Sequence, residues 1–202
     1  MIKRLFGISL FAILLLTLPL YAQETEKEEG AKEVSRGKKV LGKETINTKE
    51  KLSKYSTIVL KDFSLEDAKI HKDMDVQIYA KKLPENLSNM ISEYLKEMNL
   101  FKKVVRYEEG KSYENAIVLE GKFTKITPGS TAAKIIVGFG AGTSTVGAEG
   151  KMKDAKTGNV LASFEHNRHS PFSAAPGRPE YILDADAKNL AKDIVRFLQK
   201  LY

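Results

Sequence analysis

The sequence predicts an α/β domain, with α+β as the alternative: a single two-layer domain in which two amphipathic helices pack on a mixed sheet of about five strands. Two observations lead to this fold class. Several short runs are rich in β-branched and apolar residues, and two longer stretches carry apolar residues at helical spacing. Because a helix buries one stripe and a strand mostly one face, packing both helices on one sheet is the economical arrangement.

Five segments have the composition of strands, and in the third the odd-numbered residues from Ile117 to Lys125 are expected to share one face. The last two strands flank the segment Ala155 to Asn159, where Gly158 can supply the positive φ of a hairpin connection. Glu120 and Glu149 lie on strands and are expected to pair with lysines across the sheet. The five predicted strands are residues 56–63, 100–107, 116–127, 144–154 and 160–167.

The first helix is predicted from Leu83 to about Asn99, with Pro84 in its first turn, after a polar stretch that carries few signals. The second runs from Ile182 to Leu201, and Asp184 and Asp186 near its start suit the helix dipole. A short helical turn is expected over residues 131–137, and a loop over residues 171–179.

The N-terminus has the order of a secretory signal peptide. Lys3 and Arg4 precede an uncharged apolar run that ends at Pro19, and a small residue, Ala22, stands at the expected cleavage site. We therefore predict export to the periplasm and cleavage after Ala22, which removes residues 1–22. The alternative is an inner-membrane anchor formed by residues 5–20, although a spanning helix needs about 20 apolar residues.

A charged flexible linker is predicted over residues 23–54, because 16 of the 31 residues from 24 to 54 are Lys, Arg or Glu. The folded domain is then expected over residues 55–202. The chain has no cysteine, which excludes a lipid anchor, disulfides and thiolate chemistry. The net charge is +7, but Lys and Glu are interleaved along the chain and form no basic cluster. The chain also has no Trp to stack on bases, so we expect no nucleic-acid partner.

Several short motifs occur in the order seen in one bacterial family of exported envelope proteins. They include Thr127-Pro128-Gly129-Ser130, the segment from Val137 to Gly142, and the segment from Glu149 to Asp154. With Val118-Leu119-Glu120-Gly121, Arg168-His169-Ser170 and the unit from Leu83 to Val105, the chain resembles domain-of-unknown-function family 4410 over about two thirds of its length. The resemblance implies export and an α/β domain, and it implies no activity.

The most unusual segment is Gly-rich, and we consider it for interaction and not for nucleotide binding. No Lys stands where a phosphate-binding loop needs one, and Thr143 takes the place of the third glycine of a dinucleotide fingerprint. Small residues permit close backbone approach, within the fold or between subunits. The candidate interaction residues are Gly138, Phe139, Gly140, Gly142, Arg168 and His169.

His166 and His169 are the residues on which an enzyme hypothesis would rest. On a strand their side chains point to opposite faces, and the only other histidine is His71, so they do not predict a metal site. Ser170 has no nucleophile elbow around it. We expect no catalytic residue, metal or cofactor.

The sequence thus favours an exported envelope protein that acts as a non-enzymatic binding or scaffolding module. Its partner would be an unknown envelope protein or another copy, with peripheral membrane contact as a further expectation. The alternatives are an oligomeric component of an envelope or secretion assembly that uses residues 138–142, and an enzyme that uses His166 or His169.

Overall fold

The computed structural model describes residues 39–129, 142–170 and 178–202. In these residues seven strands form one mixed sheet, and two long helices pack on one of its faces. The predicted α/β class is confirmed, with two more strands than expected. The strands are β1 (Lys43–Ile46), β2 (Thr57–Leu60), β3 (Lys69–Ile70), β4 (Lys103–Arg106), β5 (Ala116–Thr127), β6 (Ser144–Asp154) and β7 (Val160–Ser170), and the helices are α1 (Met74–Glu97) and α2 (Pro179–Leu201).

The sheet has the strand order β1-β7-β6-β5-β2-β4, and β3 pairs with the far half of β5. Strands β5, β6, β7 and β1 are antiparallel, whereas β2 is parallel to both β4 and β5. Parallel neighbours need a long crossover, and α1 lies within the connection from β2 to β4. In the described residues no helix is long and apolar enough to span a membrane.

Helix α1 begins nine residues before the predicted start at Leu83. Asp73 caps it by accepting hydrogen bonds from the backbone N–H groups of Asp75 (2.9 Å) and Val76 (3.3 Å). Pro84 therefore lies inside the helix and not in its first turn, where it removes one backbone hydrogen bond. The buried stripe continues on both sides of it and offsets this cost: Val76, Ala80, Leu83, Leu87, Ile91 and Leu95.

The flexible linker predicted over residues 23–54 is wrong for its described part, residues 39–54. Strand β1 pairs with β7 at the edge of the sheet, and a 3-10 helix follows at Leu52–Lys54. Leu41, Ile46 and Leu52 are buried in the core. The apolar residues in this charged stretch are few, but tertiary contacts bury each of these three.

A β-bulge in β5 changes which residues face the helices. The register with β6 shifts between Phe123 and Lys125, so Ile126 is buried and Lys125 is exposed. The predicted alternation, which placed Lys125 with the inward set, is wrong beyond Phe123. Because of the bulge, apolar side chains of both halves of this long strand face the helices.

Two glycines make room for aromatic rings beneath the centre of the sheet. A Cβ atom on Gly121 would lie 2.5 Å from the ring of Phe63, and one on Gly150 would lie 2.6 Å from the ring of Phe164. Gly121 and Gly150 are paired across β5 and β6, and the two rings lie 6.5 Å apart between centroids. Larger residues at either position would displace a ring from the core.

A buried ion pair attaches β1 to the C-terminal end of α2. The Glu44 carboxylate accepts hydrogen bonds from Lys200 Nζ (2.7 Å) and from the backbone N–H groups of Val40 (2.6 Å) and Leu41 (2.8 Å). Burial alone raises the pKa of Glu44, but the bonds from Lys200, Leu41 and Val40 outweigh it and hold this pKa below its ordinary value. The Glu44 carboxylate is therefore stabilised in its charged form.

Replacing Lys200 by Met should lower the free energy of unfolding by roughly 2–4 kcal/mol at pH 7, because Glu44 is left buried without its partner. A carboxyl with a lowered pKa contributes stability above its unfolded pKa and loses it as the pH falls through the folded value. The difference between wild type and variant should therefore be complete at pH 7 and shrink below pH 4.5. Urea unfolding between pH 7 and pH 3 measures both quantities.

The matched control is Lys188→Met, which removes an exposed lysine of the same helix. It should change the free energy of unfolding by less than about 0.5 kcal/mol. Equal effects of the two substitutions would contradict the anchoring role of Lys200.

Candidate functional site

A carboxylate of α2 joins the ends of β6 and β7. Asp186 is 1% exposed and accepts hydrogen bonds from Ser144 Oγ (2.6 Å) and Ser170 Oγ (2.5 Å). The backbone N–H of Ser170 in turn donates to Ser144 Oγ at 3.2 Å. Each serine hydroxyl has one proton, and both protons go to Asp186. The serines are thus held as structural donors.

The helix dipole does not explain Asp184 and Asp186, contrary to the expectation from the sequence. Asp184 and Asp186 lie beyond the first turn, whose acidic residue is Glu180. Asp184 Oδ1 accepts a hydrogen bond from Tyr79 Oη at 3.2 Å, which links α2 to α1. Burial raises the pKa of Tyr79, so its hydroxyl stays protonated as a donor.

His166 connects three elements through its two ring nitrogens. Its Nδ1 accepts a hydrogen bond from the backbone N–H of Gly42, just before β1, at 3.0 Å. Because Nδ1 is an acceptor, the proton lies on Nε2, which is 3.0 Å from Asp193 Oδ2 on α2. Both nitrogens are occupied, so the ring has no lone pair left for a metal or for proton abstraction.

Arg168 and His169, predicted as interaction residues, lie on opposite faces of β7. Arg168 Nε is 2.8 Å from Asp193 Oδ2, at an angle that makes an ion pair and not a hydrogen bond. His169 is exposed, and its Nδ1 lies 3.0 Å from Thr145 Oγ1 on the neighbouring strand. The structure therefore does not bring these two side chains together.

Two of the predicted strand and loop ends also differ in this region. Strand β7 continues to Ser170, three residues beyond its predicted end, and α2 begins at Pro179, which the sequence assigned to a loop. Over the described ranges no group of three His, Asp or Glu side chains could hold a metal ion.

Of the Gly-rich segment, only Gly142 is within the described residues; Gly138, Phe139 and Gly140 lie outside them, as does the helical turn predicted over residues 131–137. Gly142 and Gly129 both have positive φ, 76° and 79°. A Cβ on Gly129 would collide with the backbone of residues 142–144. The close approach of these two glycines forms the end of the β5–β6 pair.

The face of the sheet that the helices leave uncovered carries an open groove of about 640 Å³. Its walls are two rows of side chains that run across four antiparallel strands, since directly opposed residues share a face. Row A is Glu120, Lys151, Ser163 and Thr45, in the order β5, β6, β7, β1. Row B is Lys122, Glu149, Glu165 and Lys43 in the same order.

Opposite charges pair along these rows, as the sequence predicted for Glu120 and Glu149. Glu120 lies 2.5 Å from Lys153 Nζ and 3.5 Å from Lys151 Nζ, and Glu149 lies 3.8 Å from Lys122 Nζ. Burial raises the pKa of Glu120, but the two lysines outweigh it and lower this pKa from its ordinary value. The groove is thus lined by ionised groups of both signs.

The fold and this geometry define a two-layer α/β domain whose buried carboxylates are engaged in structural contacts and whose open sheet face is polar. The chain belongs to the family described as Domain of unknown function (DUF4410), which matches residues 58–174. The match runs from β2 past the end of β7, so it includes most of the groove and excludes β1 and α2. No characterised protein sequence matches the chain.

Solved structures with a similar course of the chain include a PelC dodecamer from Paraburkholderia phytofirmans, with 17% identity and a TM-score of 0.49. That match covers 76% of this chain and 97% of the other. A protein from Xanthomonas campestris matches with 10% identity and a TM-score of 0.46, covering 72% of this chain and 85% of the other. At this level of similarity no function is carried over to this chain.

We predict that His166→Ala lowers the free energy of unfolding by about 1–3 kcal/mol, because the buried Asp193 carboxylate loses a hydrogen-bond partner. Metal analysis of the purified protein should find no stoichiometric zinc, before or after the substitution. His169→Ala is the control and should cost less, since its side chain is exposed. Stoichiometric zinc that is lost on His166→Ala would contradict the structural role.

Proposed function

We propose that the protein is an exported, non-catalytic binding module of the bacterial cell envelope, and that it binds through the open face of its sheet. The observation that carries this proposal is the division of polar groups in the described residues. His166 and the serines at the ends of β6 and β7 face the helices and bond to the carboxylates of α2, whereas the open face presents ionised side chains and His169 to solvent.

The case against catalysis rests on the state of each reactive group. His166 has both nitrogens engaged, and the serines of β6 and β7 share one carboxylate, Asp186, which is 1% exposed. A nucleophile needs a general base within hydrogen-bonding distance and an open position for the substrate. Among the described residues, Ser144, Asp186 and Asp193 are almost wholly buried, so their clusters offer no such position there.

The case for the envelope rests on the N-terminal sequence, and a domain without cysteine is compatible with it. A cationic start, a short apolar run and Ala22 are what the export machinery reads. A single extensive core supports the described domain without any cysteine. The periplasm is thus the compartment that we propose.

The binding surface can be tested by placing a photo-crosslinking amino acid at Ser163, in the middle of the groove wall, in living cells. We expect one or a few discrete adducts in the envelope fraction, and a mature chain that begins at Gln23 by mass spectrometry. The same label at Glu93, on the exposed side of α1, is the control and should give none of these adducts.

A cytosolic protein that keeps its first residues would overturn the envelope part of the proposal. Adducts from Glu93 with none from Ser163 would overturn the choice of the open face. Turnover of a substrate by the purified protein, lost on His166→Gln, would overturn the non-catalytic part.

A second candidate, an oligomeric component of an envelope assembly, is favoured by an exposed apolar patch at one end of the helix layer. Met74, Ile78 and Tyr181 are 69%, 51% and 63% exposed. They stand where both helices begin, next to the contact between Tyr79 and Asp184. Isolated exposed apolar residues are common, but a group at one end of a domain is typical of an interaction site.

For this second candidate we expect that Ile78→Asp decreases the fraction of high-mass complexes recovered from crosslinked envelopes, because a charge would be buried at the contact. Ile78→Leu keeps the apolar surface and should leave the complexes unchanged. Native gel electrophoresis of the crosslinked fraction measures the effect. Identical complexes from both variants would remove the patch from consideration.

A further inference from the structure

The two rows of the groove are complementary to each other in charge. Along row A the residues on β5 and β6 are acidic and basic, and along row B they are basic and acidic. Glu120 thus lies two residues from Lys122 on β5, and Lys151 lies two residues from Glu149 on β6. The uncharged residues of row A on β7 and β1, Ser163 and Thr45, stand beside the charged residues of row B.

The charges of the two rows would match in a dimer whose two-fold axis runs along the groove, midway between its walls. Rotation about such an axis keeps each strand position and exchanges the rows, so row A of one copy faces row B of the other. Glu120 then faces Lys122 of the second copy, and Lys151 faces Glu149. Ser163 faces Glu165, and Thr45 faces Lys43, so no like charges are opposed.

We propose that a second copy of this chain docks on the open sheet face in this arrangement, as a two-fold symmetric dimer joined wall to wall. The inference rests on the proposed function in one respect, that the open face is the binding surface. An isologous contact of this kind closes on itself, and each copy contributes the same residues.

Two glutamates that face each other on the open sheet support a second copy as the partner. Glu149 and Glu165 are directly opposed across β6 and β7, a position in which like charges destabilise an antiparallel pair. Within one chain, Lys122 Nζ lies 3.8 Å from Glu149, a long distance for an ion pair. In the dimer Lys151 of the second copy faces Glu149, and the Ser163 hydroxyl of the second copy faces Glu165.

The internal ion pairs leave the two charges on β6 accessible, whereas Glu120 is 21% exposed and is held by Lys153. Lys151 and Glu149 are exposed on the central strand of the open face, with 47% and 49% of their side chains accessible. Exposed pairs contribute about 0–1 kcal/mol each, so their geometry yields easily to a better partner. The interface formed is polar and retains water over the groove floor, and it should weaken as salt screens its charges.

Charge reversals on β6 provide a sharp test, because two weakened variants should restore one another. Glu149→Lys alone places a new cation against Lys151 of the second copy, and Lys151→Glu alone opposes two carboxylates. Each variant should raise the dimer dissociation constant by about tenfold or more in low salt. An equimolar mixture of the two should form heterodimers, since every contact between these positions then joins opposite charges.

The protein is purified as the cell processes it, and the dissociation constant is measured by analytical ultracentrifugation in 50 mM and 500 mM NaCl. Wild type should dimerise more tightly in the lower salt. Glu93→Lys and Lys188→Glu make the same charge changes on the helix side and should leave the dimer intact. Circular dichroism shows whether the variants are folded, and the mixture itself reports on folding because only folded variants can pair.

A wild type that stays monomeric in low salt would overturn the dimer, and so would single reversals that dimerise as wild type does or a mixture that does not recover. Crosslinks from Ser163 to a different envelope protein, found together with a monomer, would leave the proposed binding function standing. The absence of any adduct to another protein, together with a salt-sensitive dimer, would leave the second copy as the partner and remove the envelope partner.

Discussion

The architecture depends on one constraint, that the apolar surface of both helices is buried on a single face of the sheet. Strand residues alternate between faces, so covering one face with α1 and α2 commits every second residue of β5, β6 and β7 to the core. The bulge after Phe123 preserves this commitment along the whole of β5, and the glycines at 121 and 150 leave room for two phenylalanine rings beneath it. The remaining residues are left to solvent and form the charged rows.

The same packing of the helices on one face of the sheet also buries three carboxylates. Glu44, Asp186 and Asp193 lie on the helix side and are nearly inaccessible. A buried carboxylate needs hydrogen bonds or a cation to remain favourable. Each of the three meets that need by joining separate elements: Glu44 joins β1 to α2, Asp186 joins the ends of β6 and β7, and Asp193 holds His166 and Arg168. These carboxylates, with His166 and the two serines, therefore connect the strands to α2.

In the described residues, the buried carboxylates thus lie on the helix side of the sheet and the charged rows lie on the other. The family match spans β2 to β7, which includes three of the four strands of the groove, whereas the fourth strand, β1, and helix α2 lie outside it. The polar face can vary in charge without disturbing the core, because its side chains point away from the helices.

Local sequence alone predicted the fold class, the five main strands and the second helix, because apolar periodicity over long segments is a local signal. It also determined that Glu120 and Glu149 would pair with lysines, since both lie on strands where cross-strand neighbours are close. The other features depend on contacts between distant parts of the chain. Strand β1 depends on pairing with β7, about 120 residues along the chain, and its short charged sequence has no local preference. Helix α1 continues through Pro84 because burial of its apolar stripe in the core stabilises the helix by more than the loss of one backbone hydrogen bond destabilises it. The clusters around Asp186 and Asp193 and the two rows of the groove arise from strand register, which brings distant residues side by side and cannot be inferred from composition or spacing alone.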